Sequence, residues 1–137
     1  MKTFRAVQAI GGKRIVPGIK EPIYFRSRWE FNIACYLQWL KGQEYGGVFN
    51  WVYEPKGYEW EFPVKRGTRF YKPDFLVTTR KGVPFEVWEV KGWMDRPSRT
   101  ALCRMKQYFP AIKIHIIAKE EYQAIKKCSK LIPGWES

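Results

Sequence analysis

Two carboxylates and a lysine lie close together in the middle of the chain. Asp74 stands in the run YKPDF, and Glu89 and Lys91 stand fifteen and seventeen residues later in the run EVWEVKG. Because side chains alternate across a strand, Glu89 and Lys91 point to one face of a strand and Val90 points to the other. If the predicted strand over 70–78 pairs with the predicted strand over 85–91, Asp74 comes close to Glu89.

This combination of residues suits the hydrolysis of a phosphodiester bond. Two neighbouring carboxylates repel each other unless a cation neutralises them or one of them takes up a proton. Their oxygen ligands suit Mg²⁺, with Mn²⁺ as a substitute, and such ions keep waters and bind phosphate oxygens. A lysine beside them can orient a water and stabilise developing charge. The pattern predicts a metal site at Asp74 and Glu89, with Lys91 as the water-orienting residue.

The spacing alone leaves a second interpretation open. Average residue usage supplies such a pattern in roughly a few per cent of chains this size. An exposed acid pair on a β-meander is therefore the alternative. A further Glu-x-Lys triplet, Glu54-Pro55-Lys56, has a central proline, which argues against a strand that forms a full ladder.

A helix is predicted upstream of these residues. From Ser27 to about Leu40, apolar residues recur at intervals of three and four, and Ser27 and Glu30 have the spacing of a capping box. Glu30 lies at the border of the apolar stripe, so it either reaches toward a site or bonds to backbone near Ser27. The helix is apolar on two faces, which indicates deep burial or a shared interface with a second subunit.

Downstream of this helix the pattern changes to short strands and then returns to helices. Four aromatic or β-branched runs separated by Gly, Pro and charged residues predict an antiparallel meander. A helix follows at about Pro97–Phe109, then a strand at 112–118 and a helix at 119–128. The order α-β-β-β-α-β-α predicts a fold of the broad α/β class. Its sheet is expected to be mixed, with parallel and antiparallel pairs, as in α+β proteins. Residues 1–22 are interpreted as a basic N-terminal arm, either mobile or forming a short irregular strand, and 23–137 as a single domain.

The charge of the chain indicates the partner. Twenty-five Lys and Arg against thirteen Asp and Glu leave a formal net charge of +12. A surplus this large is typical of small proteins that bind a polyanion. The basic residues are scattered rather than gathered in one tail or amphipathic helix, which favours nucleic acid over a membrane surface. The alternative is a charge that serves only solubility.

The location follows from what the sequence lacks. No apolar run approaches the ~20 residues that cross a bilayer. The first residues do not fit a secretory signal peptide, and three widely spaced cysteines form no pattern of disulfide or zinc ligands. We therefore expect a cytoplasmic protein with reduced thiols and no membrane partner.

Nine basic residues are candidates for contacts with DNA phosphates. Four of them stand on the helix predicted after Lys91, where a solvated helix face is the alternative. Aromatic residues of the meander could stack on bases, but we interpret them as core, and His115 as structural. The nine candidates are Lys13, Arg14, Arg26, Arg28, Lys72, Arg96, Arg99, Arg104 and Lys106.

These motifs resemble those of a known superfamily. The runs YKPDF and FEVWEVKG resemble the PD-(D/E)xK nuclease signature, and FRSRWEFNIACYL resembles the first helix of phage endonuclease I-type Holliday junction resolvases. The resemblance covers about residues 24–120 and implies a restriction-endonuclease-like core. It implies Glu30, Asp74 and Glu89 as metal ligands, with Lys91 completing the catalytic set. The Asp74–Glu89 spacing is longer here than in the phage enzymes, which predicts a longer hairpin.

The activity implied by the resemblance is metal-dependent cleavage of branched DNA. A two-fold homodimer would supply the paired nicks that resolve a four-way junction, in the bacterial host cytoplasm if the protein is phage-encoded. In such a dimer Glu30 could complete the site of the partner subunit. Two alternatives stay open. One is another PD-(D/E)xK nuclease, of the transposase-associated nicking, repair or restriction type, and the other is a non-catalytic basic DNA-binding module.

Overall fold

The computed structural model describes residues 11–80 and 84–137. Residues 1–10 of the predicted arm lie outside the described residues. The strands are β1 Gly12–Arg14, β2 Ile23–Phe25, β3 Asn50–Tyr53, β4 Trp60–Glu61, β5 Phe70–Tyr71, β6 Phe75–Thr78, β7 Glu86–Lys91 and β8 Ile114–Ala118. The helices are α1 Arg28–Lys41, α2 Arg96–Tyr108 and α3 Lys119–Lys126, followed by a 3-10 turn at Ser129–Leu131. Within the described ranges, no helix is long and apolar enough to cross a membrane.

The main sheet has four strands in the order β3-β6-β7-β8. The pairs β3–β6 and β6–β7 are antiparallel, whereas β8 runs parallel to β7. A parallel pair needs a crossover connection, and α2 provides it between β7 and β8. The predicted α+β fold with a mixed sheet is confirmed.

The predicted meander is wrong in one part. β4 and β5 pair only with each other in a separate two-stranded sheet, and β3 pairs directly with β6. The predicted strand over 70–78 is two strands, because Lys72, Pro73 and Asp74 interrupt it. Pro73 has no N–H to donate to a ladder, so the strand breaks just before Asp74, whose carbonyl oxygen accepts the Glu54 N–H at 2.7 Å.

The segment before α1 is a hairpin over the residues that the structure describes. Gly12–Arg14 pairs antiparallel with Ile23–Phe25, and Val16 in the connecting loop is fully buried. The predicted boundary between an arm at 1–22 and a domain at 23–137 runs through this hairpin. From residue 11 onward the chain is therefore paired and packed rather than a free arm.

α1 is covered on both of its apolar faces by the same chain. Trp29, Ile33 and Leu37 on one face, and Phe31 and Cys35 on the other, are each at most 7% exposed. Deep burial, one of the two predicted alternatives, accounts for the helix without a second subunit.

Two cores lie on opposite faces of the main sheet. Side chains of β6 and β7 alternate between them, as a pleated strand requires. Phe75, Trp88 and Val90 pack with α1 and α3, whereas Leu76 and Val87 pack with α2 and the β4–β5 hairpin. The adjacent strands β6 and β7 are thus held from both sides, which keeps the residues at their ends in place.

The C-terminal segment is tied to α1 through Asn32. Its Nδ2 donates to the Tyr122 hydroxyl and to the Glu136 carbonyl oxygen, each at 2.8 Å. Its Oδ1 accepts from the Glu136 N–H at 2.8 Å. Asn32 is fully buried, so these three hydrogen bonds have no replacement from water.

Replacing Asn32 with alanine is expected to lower the free energy of unfolding by about 2–4 kcal/mol, because the partners are left unsatisfied. Tyr122→Phe removes one of the hydrogen bonds and keeps the ring stacked on Trp29 at 3.8 Å, so it should cost about 1 kcal/mol. Urea unfolding followed by circular dichroism measures both values. Equal losses in the two variants would contradict the assignment of the anchor to Asn32.

Candidate functional site

Asp74 lies at the start of β6, next to β7. The antiparallel register places Phe75 opposite Trp88, so the preceding residue lies beside Glu89. The side chain of Asp74 is 3% exposed, and its Oδ2 accepts the Val90 N–H at 2.8 Å. This backbone donor fixes the carboxylate at the end of the strand pair.

Glu89 and Lys91 share one face of β7, as the alternation predicted. Glu89 is 5% exposed, and its Oε2 accepts a hydrogen bond from the Tyr71 hydroxyl at 2.7 Å. The Lys91 Nζ lies 3.5 Å from Oε1 of Glu89. Val90 points the other way, into the core beneath α1. The strand thus places an acid and a lysine together on the side that α2 covers.

The guanidinium of Arg26 contacts three carboxylates at this end of the sheet. It lies 2.5 Å from Oδ1 of Asp74, 3.4 Å from Oε1 of Glu30 and 3.2 Å from Oε1 of Glu54. The side chain of Arg26 is 56% exposed, so it reaches the buried acids from the solvent side. Arg26 is the internal counter-ion of the cluster.

Glu30 forms separate hydrogen bonds through its backbone and through its side chain. Its N–H donates to Ser27 Oγ at 3.1 Å, which is the N-cap hydrogen bond of α1. Its carboxylate accepts from the Tyr53 hydroxyl and, at 3.3 Å, from the Ser27 hydroxyl. The N-cap bond uses the Glu30 backbone, and the Glu30 carboxylate contacts the Ser27 hydroxyl, Tyr53 and Arg26 rather than the Ser27 backbone.

Two adjoining cavities open onto these residues. A cavity of about 280 Å³ is lined by Glu30, and one of about 230 Å³ on the α2 side is lined by Glu89. Arg26, Asp74 and Lys91 line both cavities. The buried acids thus form the walls of a space that a solvated ligand can enter.

The surroundings of Asp74 and Glu89 disfavour the charged forms of these two carboxylates. Burial raises the pKa of Asp74 well above its usual value, and the charges of Glu89 and Glu30 raise it further, against the opposing effect of Arg26. Burial also raises the pKa of Glu89, although the Tyr71 hydroxyl and Lys91 oppose the shift. Both carboxylates therefore gain if a further cation approaches.

The pKa values of three groups that contact these acids are also raised. Burial lowers the pKa of Arg26, but Glu30 and Asp74 raise it by more, so it stays charged. Burial and the neighbouring Glu89 raise the pKa of Tyr71, and burial and Glu30 raise the pKa of Tyr53. Both phenols remain protonated donors to the carboxylates at neutral pH.

The fit of these residues to a divalent cation was tested on their donor atoms and charges. In the part of the chain that the structure describes, no three His, Cys, Asp or Glu side chains are grouped as metal ligands. Arg26 contacts Glu30 and Asp74, while Glu89 lines only the α2-side cavity. Asp74 and Glu89 nevertheless offer hard oxygen donors at a cavity wall. Their pKa values are raised, and a bound cation would lower them. The donor atoms of Asp74 and Glu89 are those that Mg²⁺ or Mn²⁺ takes, and Asp74 and Glu30 are both open to such an ion only if Arg26 moves.

Three of the predicted DNA contacts are engaged within the chain. Arg14 forms an ion pair with Glu136 at 2.7 Å, and Arg28 lies 3.5 Å from the same carboxylate. Arg104 donates to the backbone carbonyl of Thr68, which fixes the β4–β5 hairpin to α2. These guanidinium groups hold segments of the fold together, which residue type alone could not distinguish from phosphate binding.

The other predicted contacts differ in position. Arg26 lies inside the acid cluster, and Lys72 lies 3.6 Å from Glu59 with 74% of its side chain exposed. Lys13 is exposed on the hairpin before α1. Arg96, Arg99 and Lys106 are exposed on one side of α2. These last three are available to an external ligand.

Sequence reasoning missed three partners of the acids. Tyr71 and Tyr53 hold Glu89 and Glu30, and Arg26 was predicted only as a phosphate contact. Glu54, set aside with its proline, contacts Arg26 from a left-handed backbone conformation with φ of 44°. The one sequence signal for Arg26 is its i,i+4 spacing to Glu30, a common spacing for ion pairs.

The remaining predictions concern residues outside the acid cluster. Trp51 is buried, and Tyr53 and Trp60 are half-buried in aromatic clusters. His115 stacks on Trp88 at 4.5 Å and contacts Glu121, which suits the structural role predicted for it.

The chain was compared with models of protein families, with curated proteins and with solved structures, and none of the three comparisons gave a match.

Glu89→Gln is expected to stabilise the protein increasingly as pH rises above about 4.5, the ordinary pKa of this carboxyl. The folded protein binds a proton at Glu89 more tightly than the unfolded chain, so stability is lost as pH rises through the raised pKa. The neutral amide keeps the Tyr71 hydrogen bond and avoids that loss. Thermal unfolding in EDTA from pH 4 to 8 measures the difference. A variant that is less stable than the wild type at pH 8 would refute the prediction.

A double-mutant cycle on Arg26→Ala and Asp74→Ala is expected to give a coupling energy of roughly 1–3 kcal/mol at pH 7. The value is reduced from that of a fully buried pair because Arg26 is 56% exposed. Arg69 and Glu61 form the matched control, an exposed pair 3.7 Å apart that should couple by about 0.2–1 kcal/mol. Denaturant unfolding in EDTA measures both cycles, and equal coupling would argue against Arg26 as counter-ion.

Proposed function

We propose that this protein is a Mg²⁺-dependent, structure-selective DNA endonuclease that makes paired nicks in four-way junctions by phosphodiester hydrolysis. The observation that carries the proposal is the convergence of Asp74, Glu89 and Lys91 at the end of the β6–β7 pair. Both acids are at most 5% exposed yet line cavities open to solvent. Burying like charges is costly, and a divalent cation with a phosphate ligand explains why they would be kept there.

The topology supports a restriction-endonuclease-like core. α1 precedes three antiparallel strands, β3, β6 and β7, and α2 then crosses to the parallel strand β8. The acids stand on the two central strands, and Glu30 stands in the first turn of α1. This is the order that the resemblance in sequence implies for the core of such nucleases.

Asp74 and Glu89 would hold the metal ion once Arg26 moves away from Asp74, and the same movement would make Glu30 a further ligand. When bound, Mg²⁺ would polarise the phosphodiester and lower the pKa of an attacking water. Tyr71 keeps Glu89 in place by its hydroxyl, and the Val90 N–H does the same for Asp74. These contacts preorganise the acids before a ligand enters.

Lys91 would orient the attacking water and stabilise negative charge on the phosphate. Its ammonium lies 3.5 Å from Glu89, and its side chain is 29% exposed where the two cavities meet. The Lys91 ammonium can donate a hydrogen bond to a water on one side, while Glu89 holds the ammonium on the other side.

A homodimer is part of the proposal because two symmetric cuts need two symmetric sites. Glu30 and Asp74 of one chain line the same cavity. The proposed dimer would therefore bring two complete sites together, with no exchange of Glu30 between subunits.

A second candidate function is a non-catalytic basic DNA-binding module. The specific observation in its favour is Arg26, which contacts Asp74 at 2.5 Å and so neutralises an acid without a metal. In that case the acids would position Arg26, and DNA would bind without being cut.

Purified protein is expected to nick a labelled four-way junction in pairs with Mg²⁺ and to leave it intact in EDTA. Asp74→Ala and Lys91→Ala should each lower cleavage by roughly 10²–10³-fold, since each removes charge stabilisation in the transition state. Glu61→Gln is the matched control, because Glu61 is an acid 57% exposed outside the site. Denaturing gels of the junction measure the rates, and circular dichroism verifies that each variant is folded.

Three results would change the assignment. Equal cutting of a linear duplex would indicate a general nuclease. Cutting that persists in EDTA or in Lys91→Ala would exclude the metal-and-lysine site. Binding without cutting, unchanged by Asp74→Ala, would favour the non-catalytic module.

A further inference from the structure

Trp93 is unusual among the tryptophans of the chain. All seven lie within the described ranges, and Trp93 alone among them is exposed, at 59%. By contrast, Trp29, Trp51 and Trp88 are each at most 8% exposed in the α1-side core. A large aromatic ring in solvent offers a surface on which a planar ligand group can stack.

The indole lies between the acid cluster and α2. Trp93 follows Lys91 by two residues and lines the 280 Å³ cavity together with Asp74 and Lys91. It also lines a shallow groove of about 610 Å³ along α2 with Arg96 and Arg99. A ligand strand that runs from this cavity into the groove along α2 passes the ring.

The outward face of α2 carries a basic stripe, which we define as Arg96, Arg99 and Lys106. All three are exposed, and their spacing of three and seven residues places them on one side of the helix. Ala101 and Met105 on the other side are buried against the sheet. The stripe spans about 15 Å along the helix at 1.5 Å per residue.

We propose that Trp93 and the basic stripe bind the unpaired nucleotides beside the cleaved bond. The indole stacks on one unpaired base, and the stripe contacts the phosphates that follow. This inference rests on the proposed function and adds its basis for choosing branched DNA. Stacking needs a base taken out of the helix, so a strand unpaired at a junction binds and a continuous duplex does not gain the contact.

The charge of the surface decides among possible occupants. A second copy of this chain that met this one through the same face would bring an equal stripe against it, and like charges across an interface are unfavourable. A DNA strand brings phosphates to the stripe and bases to the ring. The combination of cations with an exposed aromatic ring is the one that single-stranded nucleic acid requires.

DNA binding is measured in EDTA, so that the result does not depend on cutting. A single-stranded oligonucleotide carrying 2-aminopurine and a duplex of the same sequence are titrated with the full chain. Trp93→Ala should weaken single-strand binding by roughly 5- to 100-fold, the effect of one lost stacking contact, and change duplex binding by less than about twofold. Trp93→Phe should retain most of the affinity and the change in 2-aminopurine fluorescence that stacking produces.

Two further variants serve as controls. Tyr45→Ala removes an aromatic ring that is 92% exposed but lines neither cavity, and it should leave both affinities unchanged. Arg99→Gln should weaken binding of both DNA forms and lower the slope of affinity against salt by about 1.

The outcomes separate this inference from the proposed function. Equal losses on both DNA forms in Trp93→Ala, or no loss at all, would overturn the stacking site even if the wild type cuts junctions. A change of oligomeric state in Trp93→Ala, seen by sedimentation, would also overturn it and assign the ring to a protein contact. Selective loss of single-strand binding would support the inference, and would do so even if the wild type failed to cut with Mg²⁺.

Discussion

The arrangement of the candidate site depends on one constraint: two buried carboxylates must be held next to each other. Asp74, just before β6, and Glu89 on β7 lie side by side, where burial disfavours both charged forms and the charge of Glu89 further disfavours that of Asp74. Each has a donor that fixes it, the Val90 N–H for the first and the Tyr71 hydroxyl for the second. Arg26 and Lys91 then supply positive charge from the solvent side. Removing any one of these partners leaves a buried carboxylate with less compensation for its charge.

The two cores on either side of the sheet make this arrangement possible. β6 and β7 pack against α1 and α3 on one face and against α2 and the β4–β5 hairpin on the other. Strands held on both faces cannot shift to relieve the repulsion at their ends. A site that costs stability in this way is expected where function requires it, and the rest of the fold must offset the cost.

Local patterns were sufficient to locate the acids and to assign the fold class. The alternation of β7 predicted that Glu89 and Lys91 share a face, and the order of apolar periods predicted the mixed sheet. The same reasoning joined 70–78 into one strand, because it gave too little weight to the missing N–H of Pro73. It also treated Arg14 and Arg104 as phosphate contacts, although they bind Glu136 and the Thr68 carbonyl. Their partners are 122 and 36 residues away, beyond the reach of any local pattern.

By itself the sequence determined the residue types at the acid cluster, their faces on β7 and the basic charge of the chain, because these follow from spacing and composition. Only the tertiary structure decided that Arg26 joins Glu30 to Asp74 and that Tyr71 holds Glu89. It also decided which cations remain exposed and that Trp93 lies between the site and α2. The physical reason is that alternation along a strand is a property of neighbours in the chain. Charge compensation and exposure are properties of neighbours in space.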